Sequence, residues 1–307
     1  MDKNKVAVVG SINIDMVFSL PRLPATGETV SGASFAAHPG GKGANQAVAA
    51  ARLGAPTAMI GCVGDDLWGQ FLLGGLQGEG IDCAHVSRVP GASGCAGILV
   101  DAGGDNIIAV ATGANALLSP GRVEGAGDVI AQSRVLMAQL EIPLQTVTTA
   151  LKLAKGAGVI TILDPAPARA LAPEVLALAD YLTPNALEAS SLTGIDVHCW
   201  NTAAQAARQL RKQGANTVLV TMGKLGAFFS SPAGEVRIAA PRVAAVDATA
   251  AGDAFNGALA AALVQGVQPD IAADIAAAAG ALAAAKAGAQ PSLPTLAQLG
   301  QAVSLPW

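Results

Sequence analysis

Six short runs in this chain are continuously apolar: VAVVG (6–10), TAMIGCVG (57–64), VLMAQL (135–140), VITILDP (159–165), YLTPN (181–185) and TVLVTMG (217–223). Each closes at or beside Gly, Asp, Glu, Pro or Asn. A strand without polar alternation is buried on both faces, which suits a parallel sheet between helices. Segments 42–53, 67–78, 144–156 and 202–213 have helical periodicity and separate these runs. The repeated strand–helix order predicts a doubly wound α/β fold with a mostly parallel sheet. Ligands on such folds sit beyond the carboxyl ends of the strands. The polar residues at those ends include Asp15, Glu141, Asp164, Asn185 and Thr221.

Two stretches break the alternation. Residues 14–38 and about 94–112 read as short strands with Gly and Pro turns, and AGILVD, AGGDN and IIAVAT over 96–112 form a hairpin candidate. Together they could build a small sheet beside the main domain. Either a lid over a site or a decorative edge or dimer contact accounts for it, since an exposed sheet needs a cover. With 307 residues and no linker or repeat, the chain is expected to be one domain over 1–307 with these two inserts.

The chain is 52% hydrophobic, too apolar for a disordered protein, and its net charge of −4 argues against a nucleic-acid partner. Four cysteines and three histidines are scattered without ligand spacing, so zinc sites and disulfides lack support. MDKNKVAVVG has too short an apolar run for a signal peptide, and IAAAAGALAAA (275–285) is too short to span a bilayer. A cytoplasmic protein without membrane contact is expected.

Two strings carry chemistry. HPGGKGANQAVAAARLG (38–54) opens a glycine cluster directly into a helix, where free N–H groups and close backbone approach favour an anion. It is neither a Walker A loop nor a dinucleotide fingerprint. Lys42 and Asn45, three apart, can face one ligand. VDATAAGDAFNGALAAALVQG (246–266) repeats the pattern. Ala250, Ala251 and Gly252 offer consecutive N–H groups, and Asp253 falls in the first helical turn. Read alone, Asp253 is equally a helix cap or a base taking a proton from an attacking hydroxyl.

GGKGANQA (40–47) and DATAAGDAFNGA (247–258) resemble the two signature segments of the ribokinase family of carbohydrate and nucleoside kinases. GSINIDMV (10–17), PATGETVSG (24–32), TGANALLSP (112–120), LDPAPAR (163–169), TPNALEASSLTG (183–194) and KAGAQPSLP (286–294) resemble it at matching places. The resemblance implies a ribokinase-like fold with a β-sheet lid and transfer of the γ-phosphoryl of MgATP to O5 of D-ribose. It implies that Asn13, Asp15, Gly41, Lys42, Gly43, Asn45 and Glu141 hold the sugar. Asp253 would be the base and the amides of Ala250, Ala251 and Gly252 an anion hole. Asn185, Thr221, Gly223, Lys224, Gly226, Gly252 and Ala277 would face the nucleotide, and Glu188 would serve Mg²⁺. Asp247, Thr249, Ala283, Lys286, Gly288 and Ser292 would form a K⁺ site. A homodimer through the lid sheet is expected.

The sequence departs from the family pattern at Ala186, at Ala277 and in the lid segment with Ser93 and Cys95. The alternatives are a sister kinase acting on 2-deoxyribose, a ketohexose or a nucleoside, and a non-catalytic sugar sensor. An intact Asp253 argues against the sensor.

Overall fold

A computed structural model describes residues 3–32 and 34–307. Nine strands form the main sheet: β1 (Val6–Val9), β4 (Thr57–Gly64), β5 (Asp82–Val89), β8 (Val135–Ala138), β9 (Ile160–Leu163), β10 (Tyr181–Leu182), β11 (Thr217–Thr221), β12 (Ala227–Ser231) and β13 (Gly234–Ile238). Their order is β13-β12-β11-β10-β9-β8-β1-β4-β5. The pairs from β11 to β5 are parallel; β12 and β13 add an antiparallel edge. All six apolar runs are strands here, and β1, β4 and β8 are buried along their whole length. The parallel core and its helices bear out the expected α/β architecture.

From β1 the chain first builds outward to β4 and β5, then returns to β8 on the other side and continues to β13. The sheet therefore reverses between β1 and β8. The crevice beyond their carboxyl ends is where a doubly wound fold places its ligand.

Helices cover both faces. On one, the Lys42–Arg52, Ala251–Val264 and Pro269–Ala284 helices pack into a core with Val6, Val8, Met59 and Met137. On the other, the Leu144–Gly156 and Trp200–Lys212 helices join Ala7, Val9, Leu136 and Val218. The alanine-rich run closes the Pro269–Ala284 helix, with Ile275 to Ala279 and Ala283 buried. Small side chains let these helices approach closely. A Cβ at Gly257 would overlap Ala49 Cβ, so the two glycine-led helices touch where the residue has no side chain.

The two irregular stretches meet as a second sheet of β2 (Asn13–Ser19), β3 (Ser34–Gly40), β6 (Gly94–Val100) and β7 (Asn106–Ala111), ordered β3-β2-β6-β7. The expected hairpin is β6–β7, paired Cys95 with Ala111 through Val100 with Asn106. β2 and β6 run parallel and tie the two inserts into one sheet. β7 is exposed throughout, and Phe35, Ile107, Ile108 and Val110 stand open to solvent.

Candidate active site

The two glycine-rich strings start helices that meet head to head. Asn45, in the first turns of the Lys42–Arg52 helix, donates from Nδ2 to Asp253 Oδ2 at 2.9 Å. Gln46 donates from Nε2 to Asp253 Oδ1 at 3.1 Å and to Asp164 Oδ2 at 2.8 Å. Its own Oε1 accepts from Gln139 Nε2 at 2.6 Å. Asp253 and Asp164 are each 5% exposed. Burial raises the Asp253 carboxyl despite Lys42 and the two amide donors. Burial likewise pushes Asp164 up to about 8, against the pull of Lys42 and with Glu188 and Asp253 adding repulsion.

Around Asp253 the Ala251–Val264 helix begins in an uncommon backbone. Ala250 is its N-cap with φ 59°, the one positive-φ residue other than glycine among the described residues. That conformation is costly for a side chain bearing a Cβ and clusters at functional sites. Ala251 N–H donates to Ala248 O at 3.2 Å, which closes the turn. So one of the three predicted amides is already engaged, while the helix's first intrahelical bond begins at Ala254 N–H. The N–H groups of Gly252 and Asp253 belong to the orphan donors of a first helical turn.

These groups line a cavity of about 410 Å³ with Lys42, Asp164, Asn185, Glu188, Thr221, Gly223, Ala248, Ala250, Ala251 and Gly252 on its walls. Burial disfavours the Lys42 charge, but Asp253, Asp164, Glu141 and Glu188 outweigh it and raise its pKa. The Lys42 side chain thus stands on the cavity side, while its backbone N–H donates to Glu141 Oε2 at 3.2 Å. Glu141 also accepts from Ser11 Oγ at 2.5 Å, and Gly43 N–H donates to the same hydroxyl at 3.4 Å. Gly41, with φ 89°, turns the chain from β3 into this helix.

Asn185 and Glu188 form a capping box at the start of the Ala186–Thr193 helix. Asn185 Oδ1 accepts from Glu188 N–H and Glu188 Oε2 from Asn185 N–H, both at 2.8 Å. Asn185 bridges in parallel to Thr221, which carries both residues to the cavity wall. Burial raises the Glu188 carboxyl, partly offset by Asn185 N–H and Lys42.

The small sheet supplies the opposite side. Asp15 in β2 is pushed up to about 7 by burial, with Glu141 and Asp253 adding repulsion. The carboxylates of Asp15, Glu141 and Asp253, from three parts of the chain, are thus close enough to repel one another. Asn13 and Asp15 share one face of β2 because strand side chains alternate. Asn13 Oδ1 accepts from Asn115 Nδ2 at 2.7 Å.

Other predicted residues lie elsewhere. Ala277 is buried inside the Pro269–Ala284 helix, Lys224 is exposed in the Gly223–Leu225 turn, and Gly226 packs beneath Ile238–Ala240. None of the three is on the cavity wall. Asp247 Oδ1 accepts from Thr249 N–H and Oγ1 at 2.9 and 2.6 Å, and its Oδ2 from Gly288 N–H at 2.9 Å. Val246 and Asp247 N–H both donate to Ala284 O. Lys286 N–H donates to Ala283 O, and Ser292 Oγ to Ala289 O. The loop before Ala250 is thereby tied to segment 284–288. Gln46, Gln139, Ser11 and Asn115 were not singled out as site residues from the sequence. Only the N-x-x-E spacing of a capping box was there to be read at Asn185.

Among the described residues, no helix is long and apolar enough to cross a membrane. Residues 3–296 match the model of the pfkB family of carbohydrate kinases. A ribokinase from Haemophilus influenzae is 43% identical over 95% of this chain and 96% of its own length. A deoxyribokinase from Salmonella typhi is 37% identical over 98% of this chain and 99% of its own. The structure of Arabidopsis thaliana ribokinase complexed with ribose and ATP superposes with a TM-score of 0.89 at 31% identity, covering 99% of each chain. By sequence and fold, the chain belongs to the pfkB family of carbohydrate kinases.

Proposed function

We propose that this protein phosphorylates D-ribose at O5 with ATP, giving ribose 5-phosphate and ADP. The observation that carries the reading is the place of Asp253: a buried carboxylate at a helix start, on the wall of a cavity of about 410 Å³ and near enough to Asp15 for the two charges to repel. The sugar lies between the small sheet and the Lys42–Arg52 helix, held by Asn13, Asp15, Asn45, Glu141 and the backbone of Gly41 to Gly43. Its O5 hydroxyl faces Asp253, which takes the proton as O5 attacks the γ-phosphorus and the bond to ADP breaks. Asn45 and Gln46 donate to both Asp253 oxygens and aim the carboxylate. The N–H groups of Ala250 and Gly252 and the Lys42 ammonium meet the charge on the transferred group.

The nucleotide lies along the Asn185, Thr221 and Gly223 wall, continuing past Lys224 and Gly226 toward Ala277. Glu188 and Asp164 are carboxylate oxygens on that cavity, a donor set that fits a hard divalent cation. Bound Mg²⁺ supplies charge neutralisation of the phosphates. A monovalent cation fits beside Asp247, whose carboxylate is met by Thr249 and Gly288, with Ala283, Lys286 and Ser292 completing its surroundings mainly through backbone oxygens. The apolar side chains exposed on the small sheet, with the Phe18 and Phe35 rings tilted against each other at 5.1 Å between centroids, support a homodimer closed through that sheet. The setting is the cytoplasm, where ATP is at hand.

A second reading is favoured by one observation, the deoxyribokinase relative that matches almost the whole chain. Both predict ATP consumption and differ in the sugar. Incubation with ATP and ribose, followed by phosphorus NMR of the product, tests the proposal. A sugar phosphate at C5 supports it; turnover with 2-deoxyribose alone supports the second reading, and no turnover with any sugar removes both.

A further inference from the structure

Asn115 sits in the Gly113–Leu117 turn directly after β7, within the TGANALLSP segment, to which the phosphotransfer reading gives no role. It is 1% exposed. Its side chain reaches back about a hundred residues to the link between β1 and β2. Ile12 N–H donates to Asn115 Oδ1 at 2.9 Å. Asn115 Nδ2 donates to Asn13 Oδ1 at 2.7 Å, with a longer contact to Ile12 O at 3.3 Å.

The chemistry fixes the direction of this chain of bonds. A backbone N–H can only donate, so Ile12 settles which end of the Asn115 amide is oxygen. The nitrogen end then faces Asn13, and Asn13 must answer with its oxygen. What remains of the Asn13 amide is Nδ2, a donor only. Among the described residues, the fully buried side-chain polar atoms without a partner are Asn45 Oδ1, Gln139 Oε1 and Asn256 Oδ1. Asn13 Nδ2 is not one of them, and among the described residues Asn13 bonds through its side chain by Oδ1 alone, so Nδ2 keeps accessible surface for a ligand. Ionised Asp15, two residues along the same strand face, can only accept.

Gly94 pairs with Asn13 in the β2–β6 ladder. A Cβ there would overlap both Asn115 Nδ2 and Asn13 Oδ1. The position thus leaves room for this amide pair and no side chain.

We infer that Asn115 is a positioning residue for sugar recognition: it holds the Asn13 carboxamide with its N–H₂ toward the sugar, so that β2 presents one donor at Asn13 beside one acceptor at Asp15. The inference rests on the sugar site proposed above. Asn115 does not touch the sugar and acts through Asn13. Because its contacts join the entry into β2 to the exit from β7, the donor stays aimed while both crossings into the small sheet are in place.

A double-mutant cycle on the full chain tests this. Asn115→Asp keeps the size and the acceptor for Ile12 N–H but has no donor for Asn13. The Asn13 amide must then turn its nitrogen toward residue 115 and its oxygen toward the sugar. We expect the KM for ribose to rise about 3–10-fold, the worth of one neutral hydrogen bond, with kcat falling less than KM rises. Asn13→Ala should raise the same KM, and in that background Asn115→Asp should change it by less than about twofold. An equal factor in both backgrounds means that Asn115 acts by packing alone and overturns the inference, as does an unchanged KM in Asn115→Asp. An Asn13→Ala variant with wild-type ribose KM removes the sugar-site reading itself, and the inference with it. If Asn115→Asp does not fold, Asn115→Ser carries the same criterion of lost coupling.

Discussion

Asn45 Nδ2 lies 2.9 Å from Asp253 Oδ2, joining the first turns of two helices whose residues are 208 apart in the chain. Each helix alone is a glycine-led N-terminus. Joined through this bond, they place two glycine-rich turns on either side of one carboxylate.

In the proposed reaction, sugar choice falls to Asp15. Ribose offers its carboxylate a cis-diol, whereas 2-deoxyribose offers one hydroxyl. An unpaired charged acceptor costs about 1.5–3 kcal/mol, so wild type should prefer ribose by roughly 10–150-fold in kcat/KM. Asp15→Ala should collapse that preference by weakening ribose far more. An equal loss for both sugars, measured by steady-state kinetics, would assign Asp15 to folding or sheet position instead.

Glu188 combines a cap with a charge, and the two can be separated. Gln at 188 still accepts from Asn185 N–H through its amide oxygen, so the capping box survives. Glu188→Gln should therefore keep its unfolding free energy within about 1 kcal/mol of wild type, the worth of a cap. It should lose more activity at limiting than at saturating Mg²⁺. An unchanged Mg²⁺ titration would leave Glu188 with the cap alone.

Asp247 stiffens the turn that carries the Ala250 and Gly252 amides. Replacing K⁺ by a large organic cation should lower kcat several-fold at constant ionic strength. Asp247→Ala should lower kcat in K⁺ and blunt the response to exchange. Equal wild-type rates in all cations would remove the ion from the account.

The free protein should lose stability as pH rises. Asp15 at about 7 and Asp164 at about 8 both lie above an ordinary 3.8. The folded state therefore holds protons that the unfolded chain has released. Their contribution is complete below the unfolded value and is lost as pH climbs through 7 and 8. Thermal melts between about pH 5 and 9 should show Tm falling, with a shallower fall in Asp15→Asn. Parallel curves for the two proteins would show that Asp15 carries no such burden.

How far the sequence reached follows from the range of each interaction. The strand Thr57–Gly64 and the helix after Gly41 were legible because their signals, an apolar run and a glycine turn, are local. The order in which β8 returns beside β1 was not, since it depends on contacts across more than a hundred residues. Asp253 was visible as a residue at a helix start. Its partner Gln46 was not, because a glutamine in an alanine-rich helix carries no mark of the buried carboxylates it will bridge. Ala250 shows a different kind of blindness. Its φ of 59° runs against the preference of alanine, and only the packed surroundings impose it. Lys42 was placed with the sugar from its neighbours in the turn, whereas its side chain stands on the cavity with Asp164 and Glu188.

In the proposed reaction Asp253 takes the sugar's proton while ATP gives up its terminal phosphoryl group. Asparagine at 253 preserves the shape and leaves an oxygen for Asn45 or Gln46, so the fold and ribose binding should persist. The measurement is kcat of Asp253→Asn with ribose and ATP, alongside the dissociation constant for ribose. The account predicts unchanged ribose affinity within a few-fold and a kcat lower by roughly 10²–10⁴, the range for a positioned general base. A variant that turns over ribose within about threefold of wild type would contradict it.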